Sequence, residues 1–146
     1  MSEELIATYD IRGTEATGLT IECAWNVGKA VADWLPESGP VVVVYVADKV
    51  ELANAAIEGL RLQGRDVINA GLGDKTVALN MVAIRGFAGA VVVGYDEVER
   101  MTTIELYQHE SKLIDSQSRL EEIRQLVEAG NFVPAVVKGQ LVEIAK

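Results

Sequence analysis

Val41-Val42-Val43-Val44-Tyr45-Val46 is the stretch that decides the class of fold. It is β-branched almost throughout and no polar residue alternates with the valines, which is how a strand covered on both faces reads. Working outward, Leu19 to Leu35 reads as an amphipathic helix. Thr20 is placed as its N-cap, Ala24, Val27, Val31 and Leu35 recur at helical spacing, and Pro36 and Gly39-Pro40 end it. After the valines, Asp48 is positioned to cap a helix over Val50 to Gln63, with Leu52, Ala53, Ala56, Ile57 and Leu60 as its apolar positions and Gly64 as its stop. A short strand over Asp66 to Ala70, a turn at Gly71 to Gly73, a helix over Thr76 to Arg85 and a strand over Ala88 to Val93 follow. Leu5 to Thr8 is a further short strand candidate. Ser116 to Ala129 is a charged amphipathic helix, and Ala135 to Ile144 reads as a hairpin or two short strands around Gly139. Strand–helix alternation of this kind predicts an α/β fold with a mainly parallel sheet and helices on both faces. No element is assigned between Gly94 and Ser116.

The 146 residues, 49% of them hydrophobic, are enough for one core and too few for two, so residues 1–146 are expected to form a single domain. No stretch approaches the roughly 20 apolar residues that span a bilayer, and Met1-Ser2-Glu3-Glu4 lacks the layout of a signal peptide. A cytoplasmic protein is expected. Cys23 is the only cysteine, which excludes an internal disulfide, and its apolar neighbours predict a buried structural thiol. His109 is the only histidine, so a two-histidine metal site is excluded. Glu97, Glu99 or Glu110 would have to complete any site, and a surface histidine is the plainer expectation. The formal charge of −9 argues against nucleic acid and anionic membranes as partners, and weakly against anionic sugar phosphates.

Several blocks, taken in order, carry a resemblance. Tyr9-Asp10-Ile11-Arg12-Gly13 is followed by Leu19-Thr20 and a helix bearing Gly28 and Ala30. Leu52 to Leu60 reads LANAAIEGL, Gly64 to Leu72 reads GRDVINAGL, and Gly86 to Val93 reads GFAGAVVV. This series resembles the first domain of the α-D-phosphohexomutases, the phosphomannomutase and phosphoglucomutase family. The likeness implies a three-layer α/β/α domain with a small mixed sheet. It also implies that the family's magnesium-binding, sugar-recognition and phosphate-binding loops belong to domains absent from this chain, so no cofactor and no metal are expected here.

The departures gather where the family keeps its chemistry. The family's T-A-S-H-N-P loop aligns on Gly94 to Glu99, which places Asp96 at the phosphorylated serine, Glu97 at the histidine and Val98 at the asparagine. The family's lysine ten residues on becomes Leu106, its G-R-D-x-R-x-S loop shortens to Val46-Ala47-Asp48-Lys49, and its T-P pair becomes Lys75-Thr76. Tyr9 and Arg12 are retained and, by the resemblance, are the candidates for phosphate or substrate binding. Catalytic residues are expected to be none. A carboxylate can carry a phosphoryl group, but Glu97 and Glu99 flank Asp96 and would repel an incoming phosphate. Asp96, Glu97 and Glu99 read either as ligands of a hard cation or as a solvated acidic loop. Arg12 reads either as an anion contact or as a fixed partner of Asp10 or Asp96, an Arg12–Asp96 ion pair standing in for the charge of a phosphoserine. Tyr45, Tyr95 and Tyr107 are placed at the strand ends where open sheets bind ligands. Trp25 and Trp34, nine apart on one helix, predict one ring inside and one outside.

Three functions fit these readings. The chain is a non-catalytic binding or assembly module, self-associating or meeting a partner protein through surfaces that other domains cover in the full enzymes. Alternatively it is one component of a split sugar-phosphate mutase, or a sugar-phosphate or anion sensor working through Tyr9 and Arg12.

Overall fold

The computed structural model describes residues 1–115 and 119–144. Among the described residues seven strands form one mixed sheet: β1 (Ile11–Gly13), β2 (Val41–Tyr45), β3 (Val67–Leu72), β4 (Gly89–Asp96), β5 (Met101–Gln108), β6 (Lys112–Leu113) and β7 (Leu141–Glu143). Their order is β1-β5-β4-β2-β3-β7, with β6 on β5. The parallel half is β4-β2-β3-β7, and the antiparallel half is built on β5, which pairs β1, β4 and β6.

Among the described residues four α-helices complete the layers: α1 (Ile21–Trp34), α2 (Val50–Leu62), α3 (Lys75–Arg85) and α4 (Leu120–Ala129). The chain steps from β2 to β3 through α2, then back past β2 to β4 through α3. Right-handed crossovers in opposite directions put these helices on opposite faces. The valine run shows the consequence, since Val41 and Val43 join the core beneath α1, α2 and α4, while Val42 and Val44 join the one beneath α3. All four are fully buried, as an unbroken apolar strand requires.

Local signals explain most element ends. The Thr20 side chain accepts the Cys23 N–H at 3.1 Å and opens α1. Asp74 accepts the Thr76 N–H at 3.0 Å and opens α3, and Gly86, left-handed at φ 67°, closes it. Arg65 closes α1 from a distance. Its guanidinium donates to the carbonyls of Ala32, Leu35, Glu37 and Gly39 at 2.6–3.2 Å, satisfying the last turn of α1 and the loop beyond it. The close crossing of α1 and α2 rests on two glycines. A Cβ on Gly28 would lie 2.3 Å from the Ala56 carbonyl oxygen, and one on Gly59 would lie 2.1 Å from that of Trp25.

Four expectations need correction. Leu5 to Thr8 is not a strand: Glu3–Leu5 is a single 3₁₀ turn capped by Ser2, and the strand comes later, at Ile11–Gly13, where β5 offers a pairing edge. Asp48 caps nothing, since α2 begins after Lys49 without a side-chain cap. The tail forms no hairpin. Residues 131–140 are bonded to the end of α2, through Ala135 N–H to Leu62 O and Gly139 N–H to Arg61 O, and deliver β7 parallel to β3. Trp25 and Trp34 are both half-buried. The Nζ of buried Lys29 sits 3.6 Å from the Trp25 ring centre and 4.9 Å from that of Phe132. The proposed start of the last helix at Ser116 lies outside the described residues; from Leu120 onward the helix is present. Among the described residues no helix is long and apolar enough to cross a membrane.

Candidate functional site

The carboxyl ends of β2, β3 and β4 lie at one rim of the sheet, together with the end of β1 and the start of β5. There β4 and β5 form a hairpin. Asp96 pairs with Met101, and a four-residue turn over Glu97–Arg100 closes it, with Arg100 left-handed at φ 56°. The stretch aligned on the family's serine loop is therefore the end of a strand and a short turn.

Asp96 holds this turn. One carboxylate oxygen accepts the N–H groups of Val98 and Glu99 at 3.0 and 3.1 Å, and the other accepts Arg12 Nη1 at 3.0 Å. The Glu99 amide first, and then Arg12 and the Val98 amide, hold the Asp96 carboxyl below its ordinary range. Arg12 is equally committed. Its Nε and Nη2 donate to the two oxygens of buried Asp10, both at 2.8 Å, a bidentate pair that raises the guanidinium's pKa further. The fork that would grip a phosphate is occupied by Asp10, and the remaining nitrogen with a partner faces Asp96. The structure thus brings Arg12 and Asp96 together. The Tyr9 side chain is exposed ahead of β1 and, among the described residues, forms no hydrogen bond to Arg12 or Asp96.

Of the three tyrosines, Tyr45 ends β2 and Tyr95 stands one residue before the end of β4 at this rim, and Lys49 Nζ sits 5.1 Å from the Tyr95 ring centre. Tyr107 does not belong with them. It pairs with Ala90 near the opposite end of the sheet, is buried, and donates its hydroxyl to Glu105. Burial first, and then Glu105, push its pKa up. Glu97 and Glu99 are exposed in the turn. Among the described residues no three His, Cys, Asp or Glu side chains are grouped to hold a metal ion. His109 lies away from the rim, 4.0 Å from Glu37 and beside the end of α3. Cys23 is buried in α1, where desolvation pushes its thiol up.

Next to the hairpin, the N-terminal ends of α1 and α2 flank a cleft of about 610 Å³. Its lining includes Glu15, Glu22, Asp48, Glu51, Lys49 and Thr102. Ile21 and Val50, the first residues of the two helices, line it too, 52% and 39% exposed. Sequence reasoning missed this cleft. Glu22 and Glu51 each stand second in a helix, an ordinary place for an acid near the positive helix end. Only the packing of α1 on α2 sets the two along one cleft.

An open α/β sheet with helices on both faces defines the class of three-layer α/β/α domains. Comparison with known proteins narrows that class. No protein-family model matches the chain. It is similar to the phosphomannomutase of Salmonella typhimurium, 27% identical over 132 residues, and to that of Salmonella montevideo, 26% identical over the same length. Each alignment takes in 86% of this chain and 28% of the relative, so the chain spans little more than a quarter of the curated relatives' length. A phosphoglucomutase/phosphomannomutase family protein from Burkholderia thailandensis has the same fold. The TM-score is 0.79 at 20% identity, over 99% of this chain and 33% of that one. Fold and sequence together fit a single domain of the phosphomannomutase and phosphoglucomutase family.

Proposed function

We propose that this chain is a phosphohexomutase-type domain that does not itself transfer phosphoryl groups and that serves as a binding or assembly module. The observation that carries this reading is the state of Asp96. The residue aligned on the phosphoryl-carrying serine accepts three hydrogen bonds that hold a turn shut, with Arg12 bound on its far side to Asp10. A phosphoryl carrier needs a free nucleophilic oxygen and a cation left over for the transferring group. At this rim Asp10 and Asp96 take up the Arg12 guanidinium, while Glu97 and Glu99 add like charge in the turn that also holds Arg100.

Incubation with a hexose 1,6-bisphosphate carrying radioactive phosphate, with and without magnesium, tests this directly. The protein should take up no label and should not interconvert glucose 1-phosphate and glucose 6-phosphate. A hydroxylamine-labile label on Asp96 would overturn the non-catalytic reading. The split-mutase and sensor alternatives both require sugar-phosphate binding. They predict a raised melting temperature with hexose phosphates that disappears in Arg12→Lys, whereas the assembly reading predicts no shift.

A further inference from the structure

We propose that the cleft between the N-terminal ends of α1 and α2 docks a basic, aliphatic segment of a partner protein. The inference rests on the assembly reading and specifies its surface. The charges decide the class of partner. Glu15, Glu22, Asp48 and Glu51 line the cleft against a single lysine, Lys49. Lys49 lies 3.9 Å from Asp48 and over the Tyr95 ring, and among the described residues Glu15, Glu22 and Glu51 form no ion pair within 4.0 Å. Two helix N-termini add roughly half a positive charge each, so four lining carboxylates against one lining ammonium and two helix ends leave about −2, which the Lys29 ammonium acting on Glu22 trims to between about −1 and −2. An anionic sugar phosphate is repelled from such a surface, and a lysine or arginine is drawn to it.

The apolar parts decide the rest. Ile21 and Val50 stand half-exposed at the two helix starts, inside the lining. At the same rim Tyr95 and Val98 are exposed on the hairpin, as are Leu72 and Val77 on the end of β3 and the start of α3. A free cation such as a polyamine would leave these groups wet. A segment that alternates basic and aliphatic side chains would place ammonium groups among the carboxylates and cover Ile21 and Val50. A second copy of this chain is a poor fit, since its formal charge of −9 opposes approach to an acidic cleft.

The test is fluorescence anisotropy with a labelled short peptide alternating lysine and leucine, beside two controls in which glutamate replaces lysine or serine replaces leucine. The lysine–leucine peptide should bind at least about tenfold more tightly than either control, and more weakly as salt rises. Glu22→Gln with Glu51→Gln should weaken it at least about tenfold, and Ile21→Ser with Val50→Ser should weaken it comparably. Glu37→Gln with Glu143→Gln, the same charge change at exposed sites elsewhere, should leave binding within about threefold. Equal loss in both glutamine pairs would mean diffuse attraction and overturn the proposal, as would no preference for lysine over glutamate. A dimer in sedimentation that dissolves in Glu22→Gln with Glu51→Gln, without peptide binding, would assign the cleft to a second copy and also overturn it. None of these outcomes bears on phosphoryl transfer, which the labelling experiment decides by itself.

Discussion

Gly59→Ala places two opposing effects on one atom. In an exposed helix interior, glycine to alanine stabilises by about 1 kcal/mol through backbone entropy. Here the new Cβ would lie 2.1 Å from the Trp25 carbonyl oxygen, 3.1 Å from its carbon and 3.0 Å from the Lys29 nitrogen. All three are backbone atoms of α1, so no side chain can rotate away. To restore an ordinary contact, α1 and α2 must part by about 1 Å, a gap that forfeits a quarter to a half of each dispersion contact at the crossing. Overpacking of this kind costs about 1–3 kcal/mol, and a clash of backbone on backbone belongs at the upper end. Subtracting the propensity gain leaves about 2 kcal/mol of destabilisation. Urea unfolding followed by circular dichroism and by tryptophan fluorescence measures it, with a midpoint about 1 M lower if the slope is about 2 kcal/mol per M. The second glycine supplies a check on the cause. Gly28→Ala meets the Ala56 carbonyl at 2.3 Å, and once the helices have parted for one Cβ the other fits with less strain. The double variant should therefore lose less than the sum of the singles. A Gly59→Ala protein as stable as the wild type, or more so, would refute the close crossing.

Asp96→Ser returns a hydroxyl to the family's position but should not restore phosphoryl labelling, and it should lower the melting temperature because a serine cannot serve Arg12 and two amides together. The folded-state pKa of Asp96 is depressed, so its contribution is present above the ordinary aspartate range and is lost as pH falls through the folded value. Melting curves of Asp96→Ser and wild type should therefore converge in acid. Arg65→Met removes donors from four carbonyls at the end of α1 and should cost about 2–3 kcal/mol in urea unfolding, with Arg65→Lys recovering little because an ammonium lacks the planar fork. Cys23 should react with a thiol reagent only at the rate of unfolding, and fast labelling of the native protein would contradict its burial in α1.

The sequence by itself determined the elements whose reasons are local. The valine run is a doubly covered strand because nothing polar interrupts it. Thr20 and Gly86 bound helices because one side-chain oxygen and one left-handed residue suffice. The order of blocks also pointed to the family's fold. Tertiary structure decided what depends on neighbours distant in the chain. Strand β5 went unassigned although Thr102, Thr103, Ile104, Leu106 and Tyr107 are good strand formers, and its place in the sheet is fixed by pairing with β1 and β4. Arg65 as the closure of α1, and the tail as a parallel edge strand, arise from contacts across the sheet that no spacing encodes. The acidic cleft is of the same kind. Glu22 and Glu51 are routine first-turn acids in their own helices, and they line one cleft because Gly28 and Gly59 let α1 and α2 pack backbone to backbone.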